Sequence, residues 1–510
     1  MKNKLIKSYP FLLLCMILLS SCDKNKSINN DKAENNDLLE TTRITLEGDS
    51  FHIDGTGARA DGNNIAITMG GIYEISGTLE DGQILISVFD DAPVHLILNN
   101  ASINCSDNAA IYVRKAEEAV ITLKENTLNS LSDGTDYAYT DNDEPNAVIY
   151  SNADLTIDGP GALTITANYN NGITGTDDVI IMDGTITITS QDDGILGKDL
   201  IKIDKAQISL ITKGDAMKST NDKDSSKGMI LIDGGTIDIT SDKDGMEAVN
   251  SIIIMDGIIH VDSKDDAINS MKNIEISKGE LTLIAKNDAI HADITIQVRG
   301  GNIHIEKSYE GMECRNMVIS GGDIDINSKD DGINVFANGN AITILDGYIR
   351  INSEGDGIDS NGSIFITGGT VLINGPTTKD YGSLDYIGSL EVNGGILVAV
   401  GSSGPGQLPS DQSKQNSISF NYANQQNAGT LIHIKSSNEE DLLTFEPAKE
   451  FQNVIISLPE FILNETYQLF TGGSSDGSQK DGLFDGGSYT NGVKTADITL
   501  KYSVNDINEN

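Results

Sequence analysis

The sequence predicts an all-β chain wound as a parallel solenoid of about 22 residues per coil. Three observations carry that prediction. A short acidic motif recurs nine times, with its apolar residue at Ile173, Ile195, Met217, Met246, Ile268, Ile290, Met312, Ile333 and Ile358, and five of the eight steps are 22 residues. A fixed period of roughly 20–50 residues marks units that bury their apolar side only against their neighbours. Runs such as Thr236 to Ser241 alternate polar and apolar residues, the period-2 signature of a strand. Finally, a turn residue (Gly184, Ala206, Gly235, Gly257, Gly279, Gly301, Gly322, Gly347) always precedes the next motif Ile or Met by 11 residues. One arc of each coil is therefore of constant length. Insertions collect after the acidic motif, the largest at Asn221 to Lys227.

Taken in chain order, Lys2, Lys4 and Lys7 precede the apolar run Phe11 to Leu19, as in a secretion signal. The run is too short for a mature spanning helix. Leu19-Ser20-Ser21-Cys22 resembles a bacterial lipoprotein cleavage box, which implies residues 1–22 as signal peptide, lipidation of Cys22, and a protein anchored at the cell surface. Residues 23–41 are polar and read as a flexible linker. Residues 42–401 hold the coils, beginning with looser strands that form an N-terminal cap. Residues 402–510 depart from the repeat and read as a small C-terminal β capping region, because open solenoid ends need covering. Cys105 and Cys314 fall on distant coils, beyond the roughly 7 Å reach of a disulfide, and read as small buried residues.

The net charge of −41 excludes nucleic acid or an anionic membrane surface as a direct partner; membrane contact is expected only through the lipid. Trp is absent, which argues against a flat aromatic platform. Tyr137, Tyr139, Tyr150 and Tyr169 are the rings available to stack on sugars, though Tyr is also an ordinary strand residue.

Eight motif copies carry an acid at one position: Asp193, Asp215, Asp244, Asp266, Asp288, Glu310, Asp331 and Asp356. Stacked at about 4.8 Å, they form a file expected along the outside of the solenoid. Like charges so close repel by roughly 1 kcal/mol in water and more near protein. Two remedies are open. An Asp before Gly or Ala can accept backbone N–H bonds in its own turn. Alternatively Ca2+, which takes six to eight oxygens, can bind between coils. Three sets supply several acids: Asp244 with Asp265, Asp266 and Asn269; Glu310 with Asp330, Asp331 and Asn334; and Asp331 with Asp356 and Asp359. Beside them an outward column offers Glu247, Glu313 and His291 as ligand contacts, although for His291 the simpler expectation is a plain surface residue.

The stretches Gly70 to Val88, Leu98 to Val113, Leu123 to Gly134 and Gly401 to Ile418, with the repeated "IDGGTIDITSDKDGMEA", resemble the bacterial β-helix carbohydrate-binding domains first described from a cellulolytic clostridium. The resemblance spans about residues 42–505. It implies a right-handed parallel β-helix that binds calcium and acidic or cellulosic plant polysaccharide, with distant kinship to pectate lyases. The expected function is calcium-dependent, non-catalytic binding of a polygalacturonate-like polymer by a monomer. The alternatives are a calcium-dependent pectate lyase, with Lys218 or Lys272 as base, and a structural adhesin; for both lysines the simpler expectation is neutralisation of the acid file.

Overall fold

The computed structural model describes residues 40–509, apart from 90–91, 139–144 and 405. Cys22, the signal segment, most of the linker and Tyr139 lie outside the described residues. Most of the rest is a parallel β-helix of about 14 turns and ~23 residues per turn, with no helix among the described residues.

Each regular coil contributes three strands. A short one carries the motif Ile or Met (Ile195–Gly197), a second follows (Leu200–Ile203), and a longer one comes after the turn, here at Ala206 (Gln207–Thr212). Each pairs in parallel with its equivalent one coil on. The motif residues stack in register, Ile195 on Met217, Met217 on Met246 and Met246 on Ile268. All are fully buried in one continuous core. Burying each such side chain contributes about 1.5–3 kcal/mol relative to leaving it exposed. Alternation fixes the register, because a slip of one residue would turn this row to solvent.

The glycine turn is a steric requirement. Gly235 has φ +90, and a Cβ there would lie 2.5 Å from the Ala206 carbonyl oxygen. Ala206 itself stays out of the positive-φ region, which is why a side chain is accepted in that coil.

At the N-terminal end, Thr42–Gly48 forms an antiparallel pair with Phe51–Asp54 and a parallel one with Gly71–Leu79. At the other end Ile396–Gly401 pairs antiparallel with Phe451–Ser457, so the parallel order stops. The C-terminal region does more than cover the end. It builds a six-stranded sheet and a second core around Phe420, Phe445 and Phe451. That core includes Leu372 and Val398, which continue an outward column that is polar in earlier coils (His260, Thr282, His304). Apolar residues in that column mark where the region lies against the flank. Cys105 and Cys314 are buried free thiols.

Candidate functional site

Most of the acidic turns are held from both sides. In front, a buried Ser or Thr donates its hydroxyl to the carbonyl two residues on: Ser190 to Asp192, Thr212 to Gly214, Ser241 to Lys243, Ser328 to Asp330 and Ser353 to Gly355, at 2.8–3.2 Å. Across coils, the acid's Oδ1 accepts the backbone N–H of the next acid. The ladder runs Asn171–Asp193–Asp215–Asp244–Asp266–Asp288–Glu310, with N···O distances of 2.9–3.3 Å. After the Glu310 coil it resumes from Asp331 to Asp356 (2.7 Å) and from Asp356 to Gly382 (2.6 Å). A register shift next to Ser308 distorts the coil preceding Glu310, and the buried Ser308 hydroxyl has no partner there.

This corrects the expectation of a file on the outside. Seven of the eight acids are buried, from 2% exposed at Asp215 to 9% at Asp356; Glu310 alone is half-buried. The turn folds each carboxylate onto the coil stack because only there does it meet the next N–H. The backbone-bonding remedy is thus real, but the donor comes from the next coil and not from the acid's own turn. Burial, followed by neighbouring carboxylates, pushes the Asp266 and Asp331 carboxyls up to about 7 and Glu310 to about 8. Burial also raises Asp193, Asp244 and Asp356 to about 6, against ordinary values near 4.

The short strands present one outward residue per coil, in register: Lys218, Glu247, Asn269, His291, Glu313, Asn334, Asp359 and Asp385. This column decides which acids are already neutralised. Lys218 Nζ lies 2.5 Å from Asp215 Oδ2 and also bonds Glu247. Burial pulls that ammonium down, but the two acids outweigh it and hold Lys218 well above the usual lysine value. Asn269 Nδ2 donates to Asp244 Oδ2 at 2.8 Å. His291 Nδ1 sits 2.8 Å from Glu313 and 3.4 Å from Asp288; bonds to Asp288 and then Glu313 raise the imidazole to about 11, so it is an imidazolium. Asn334 Nδ2 donates to Glu310 (3.0 Å) and Glu313 (3.2 Å), while its buried Oδ1 has no partner.

Several buried acidic clusters have the geometry to hold a metal ion. Four sets bring ligand atoms within 4.8 Å of one another: Asp244, Asp265 and Asp266; Asp215, Asp244 and Glu247; Asp266, Asp288 and His291; and Asp356, Asp359 and Asp385. The first reproduces the sequence grouping, with Asn269 turned into it as a donor. In the second grouping, Glu310, Asp330 and Asp331 do not converge as one set among the described residues; Asn334 binds Glu310 instead. In the third, Asp356 and Asp359 converge with Asp385, not with Asp331. Glu247, Glu313 and His291 do face outward, but each is tied to an opposite charge.

Sequence reasoning missed Asp385 because the coil around Leu384–Tyr386 lacks the acidic-Gly signature. Its signal was the outward column carried one coil further. It also missed the hydroxyls of Ser190, Ser241 and Ser353, although Ser or Thr stands three residues before most of the acids. Among the described tyrosines, Tyr137 and Tyr150 are unsuited to open stacking. Tyr137 is buried against Tyr169, with ring centroids 4.2 Å apart, and Tyr150 is only 9% exposed.

Fold and site together define a β-helix protein with an internal acid ladder and a mixed-charge outer column. The chain belongs to the carbohydrate-binding domain-containing protein family, whose model matches residues 61–311 and 312–439. A carbohydrate-binding domain-containing protein from Acetivibrio thermocellus is 32% identical over 242 residues, 47% of this chain and 84% of that protein. Among solved structures, a gadolinium derivative of the polysaccharide lyase-like protein from C. thermocellum is 29% identical, with a TM-score of 0.41. It matches 55% of this chain and 97% of its own.

Proposed function

We propose that this protein binds an acidic, polygalacturonate-like polysaccharide through Ca2+, without cleaving it, while tethered to the cell surface by lipid on Cys22. One observation carries the reading. Asp356, Asp359 and Asp385 converge, and among the described residues none of them pairs with a Lys, Arg or His. One register position before Asp359 stands Asn334, whose buried Oδ1 has no partner. Asp356 and Asp385 each spend Oδ1 on hydrogen bonds, to Gly382 N–H and to Gln407 Nε2, leaving Oδ2. An all-oxygen, uncompensated donor set of this kind suits a hard cation such as Ca2+. Asp359 and Asp385 are half-buried, so a bound ion would keep open positions toward solvent for sugar carboxylates. A protein of charge −41 needs such an ion to attract a polyanion.

The lyase reading needs a neutral base beside the ion. Lys218 is clamped by Asp215 and Glu247, and Lys272 Nζ bonds Asn250 Oδ1, which favours binding over catalysis. The adhesin reading needs no ligand at all. Pull-down on polygalacturonate with Ca2+ or chelator, followed by ultraviolet absorbance for unsaturated products, separates the three. Retention only with Ca2+, and no absorbance rise, is expected. Retention in chelator, or none in either buffer, overturns the calcium bridge, and an absorbance rise assigns a lyase.

A further inference from the structure

The C-terminal region and the flank of the β-helix border a cavity of about 480 Å3, lined by none of the ladder acids. One wall is Tyr348 and Ile396 from the long-strand sheet. The other includes Leu442, Ser478, Gln479 and Phe484. A salt link fixes the junction: Lys480 Nζ lies 2.5 Å from Asp323 Oδ2 and 3.7 Å from the centre of the Tyr348 ring, and the Tyr348 hydroxyl donates to the Lys480 carbonyl at 3.1 Å. The volume lies within the ~300–1,000 Å3 of small-molecule sites, which favour junctions between packed units.

The lining is amphipathic. Phe484 and Tyr348 offer half-buried rings, Ile396 and Leu442 half-buried aliphatic surface, and Ser478, Gln479 and Asp485 exposed polar groups at the mouth. A pyranose has the same two characters, with C–H faces that rest on aromatic rings and hydroxyls that exchange hydrogen bonds with amide and carboxylate groups. The charge selects further. Lys480 is discharged by Asp323, and Glu446, hydrogen-bonded to Gln479, and Asp485 leave the mouth negative. An acidic sugar is disfavoured there, and no metal cluster lies among its lining residues. We propose that this cavity is a second saccharide site, which takes a short neutral sugar or a chain end without calcium. The protein then holds two chemically different glycans, one on the acid-bearing column and one at the flank.

The test titrates cellobiose, xylobiose and mannobiose, in chelator, into the full chain by calorimetry and saturation-transfer NMR. Saturable binding of at least one is expected. It is lost in Phe484→Ala and in Ser478→Tyr, which crowds the mouth without opening the core, and it is unchanged in Asp385→Asn. Polygalacturonate retention in Ca2+ behaves in reverse, lost in Asp385→Asn and kept in Phe484→Ala, so the two sites fail independently. Melting temperatures of the variants show that they are folded. No saturable binding of any of the three disaccharides, or binding indifferent to both cavity variants, overturns the proposal.

Discussion

The backbone N–H of Asp215 donates to Oδ1 of Asp193 at 2.9 Å, across 22 residues of sequence and one coil of structure. The same bond recurs along the ladder, so each Asp, unlike Glu310, stitches its coil to the next with one oxygen and keeps the other. Asn171 already plays this part for Asp193, at 3.0 Å. An amide oxygen is therefore a sufficient acceptor, and the charge is surplus to the bond. Asp193→Asn is expected to keep the fold and, in chelator, to leave stability unchanged or raise it, because a carboxyl pushed up to about 6 is removed. Asp193→Ala loses the acceptor for a buried N–H and costs about 1–3 kcal/mol. Denaturant midpoints of the two variants check this; equal losses would sink the ladder account.

Calcium affinity should depend on the acids that lack a protein cation. Asp385→Asn and Asp359→Asn are each expected to weaken Ca2+ binding by about tenfold or more, since the charge of the ligand set sets affinity. Asp193→Asn should change it far less. Isothermal titration on chelator-stripped protein gives the comparison, and equal affinities across the three variants would contradict the site at Asp356, Asp359 and Asp385.

Lys218 holds the place that a metal ion would otherwise fill between Asp215 and Glu247. Lys218→Met leaves a buried Asp215 uncompensated and should cost about 3 kcal/mol in chelator. Because Asp215, Asp244 and Glu247 already converge, Ca2+ should recover part of that loss and the stoichiometry should rise by one ion. Unfolding curves with and without Ca2+ test both halves. A loss that Ca2+ does not touch would show that the three oxygens cannot reorganise around an ion.

The sequence made the coils legible because the coils repeat the same steric demands: a stacked Ile or Met and, except at Ala206, a positive-φ Gly in the turn. Periodicity also gave the acid positions. It did not give their direction, because a carboxylate's orientation depends on a partner N–H one coil away, invisible in a single repeat. Lys218 was legible as a charge that neutralises the file, and it pairs with Asp215 and Glu247; that His291 does the same for Asp288 and Glu313 was not, since the column that carries them varies at every step. Asp385 was hidden by a coil that keeps the outward acid but drops the turn signature. The flank contact of the C-terminal region was written only in Leu372 and Val398, two apolar residues in an otherwise polar column.

The last expectation concerns pH. In chelator, Asp193, Asp244 and Asp356 titrate at about 6, Asp266 and Asp331 at about 7, and Glu310 at about 8, all through burial first. Unfolded, such carboxyls titrate at about 4. Between those limits the native state holds more protons than the unfolded chain, so stability falls as pH rises. The contribution is fully present below about pH 4 and is lost as pH climbs through about 6–8. His291 adds the same sign. Its folded value of about 11 exceeds the unfolded value near 6.5, so its contribution is full below about 6.5 and is lost as pH rises through about 11. The chelated protein should therefore melt lower at pH 8 than at pH 5. Calcium reverses the trend, because it binds deprotonated carboxylates and its affinity grows with pH. The gain in melting temperature on adding Ca2+ should be larger at pH 8 than at pH 5. Thermal scans at the two pH values, each with Ca2+ and with chelator, decide the matter. A gain that shrinks toward pH 8 would mean that the ion does not bind the buried carboxylates.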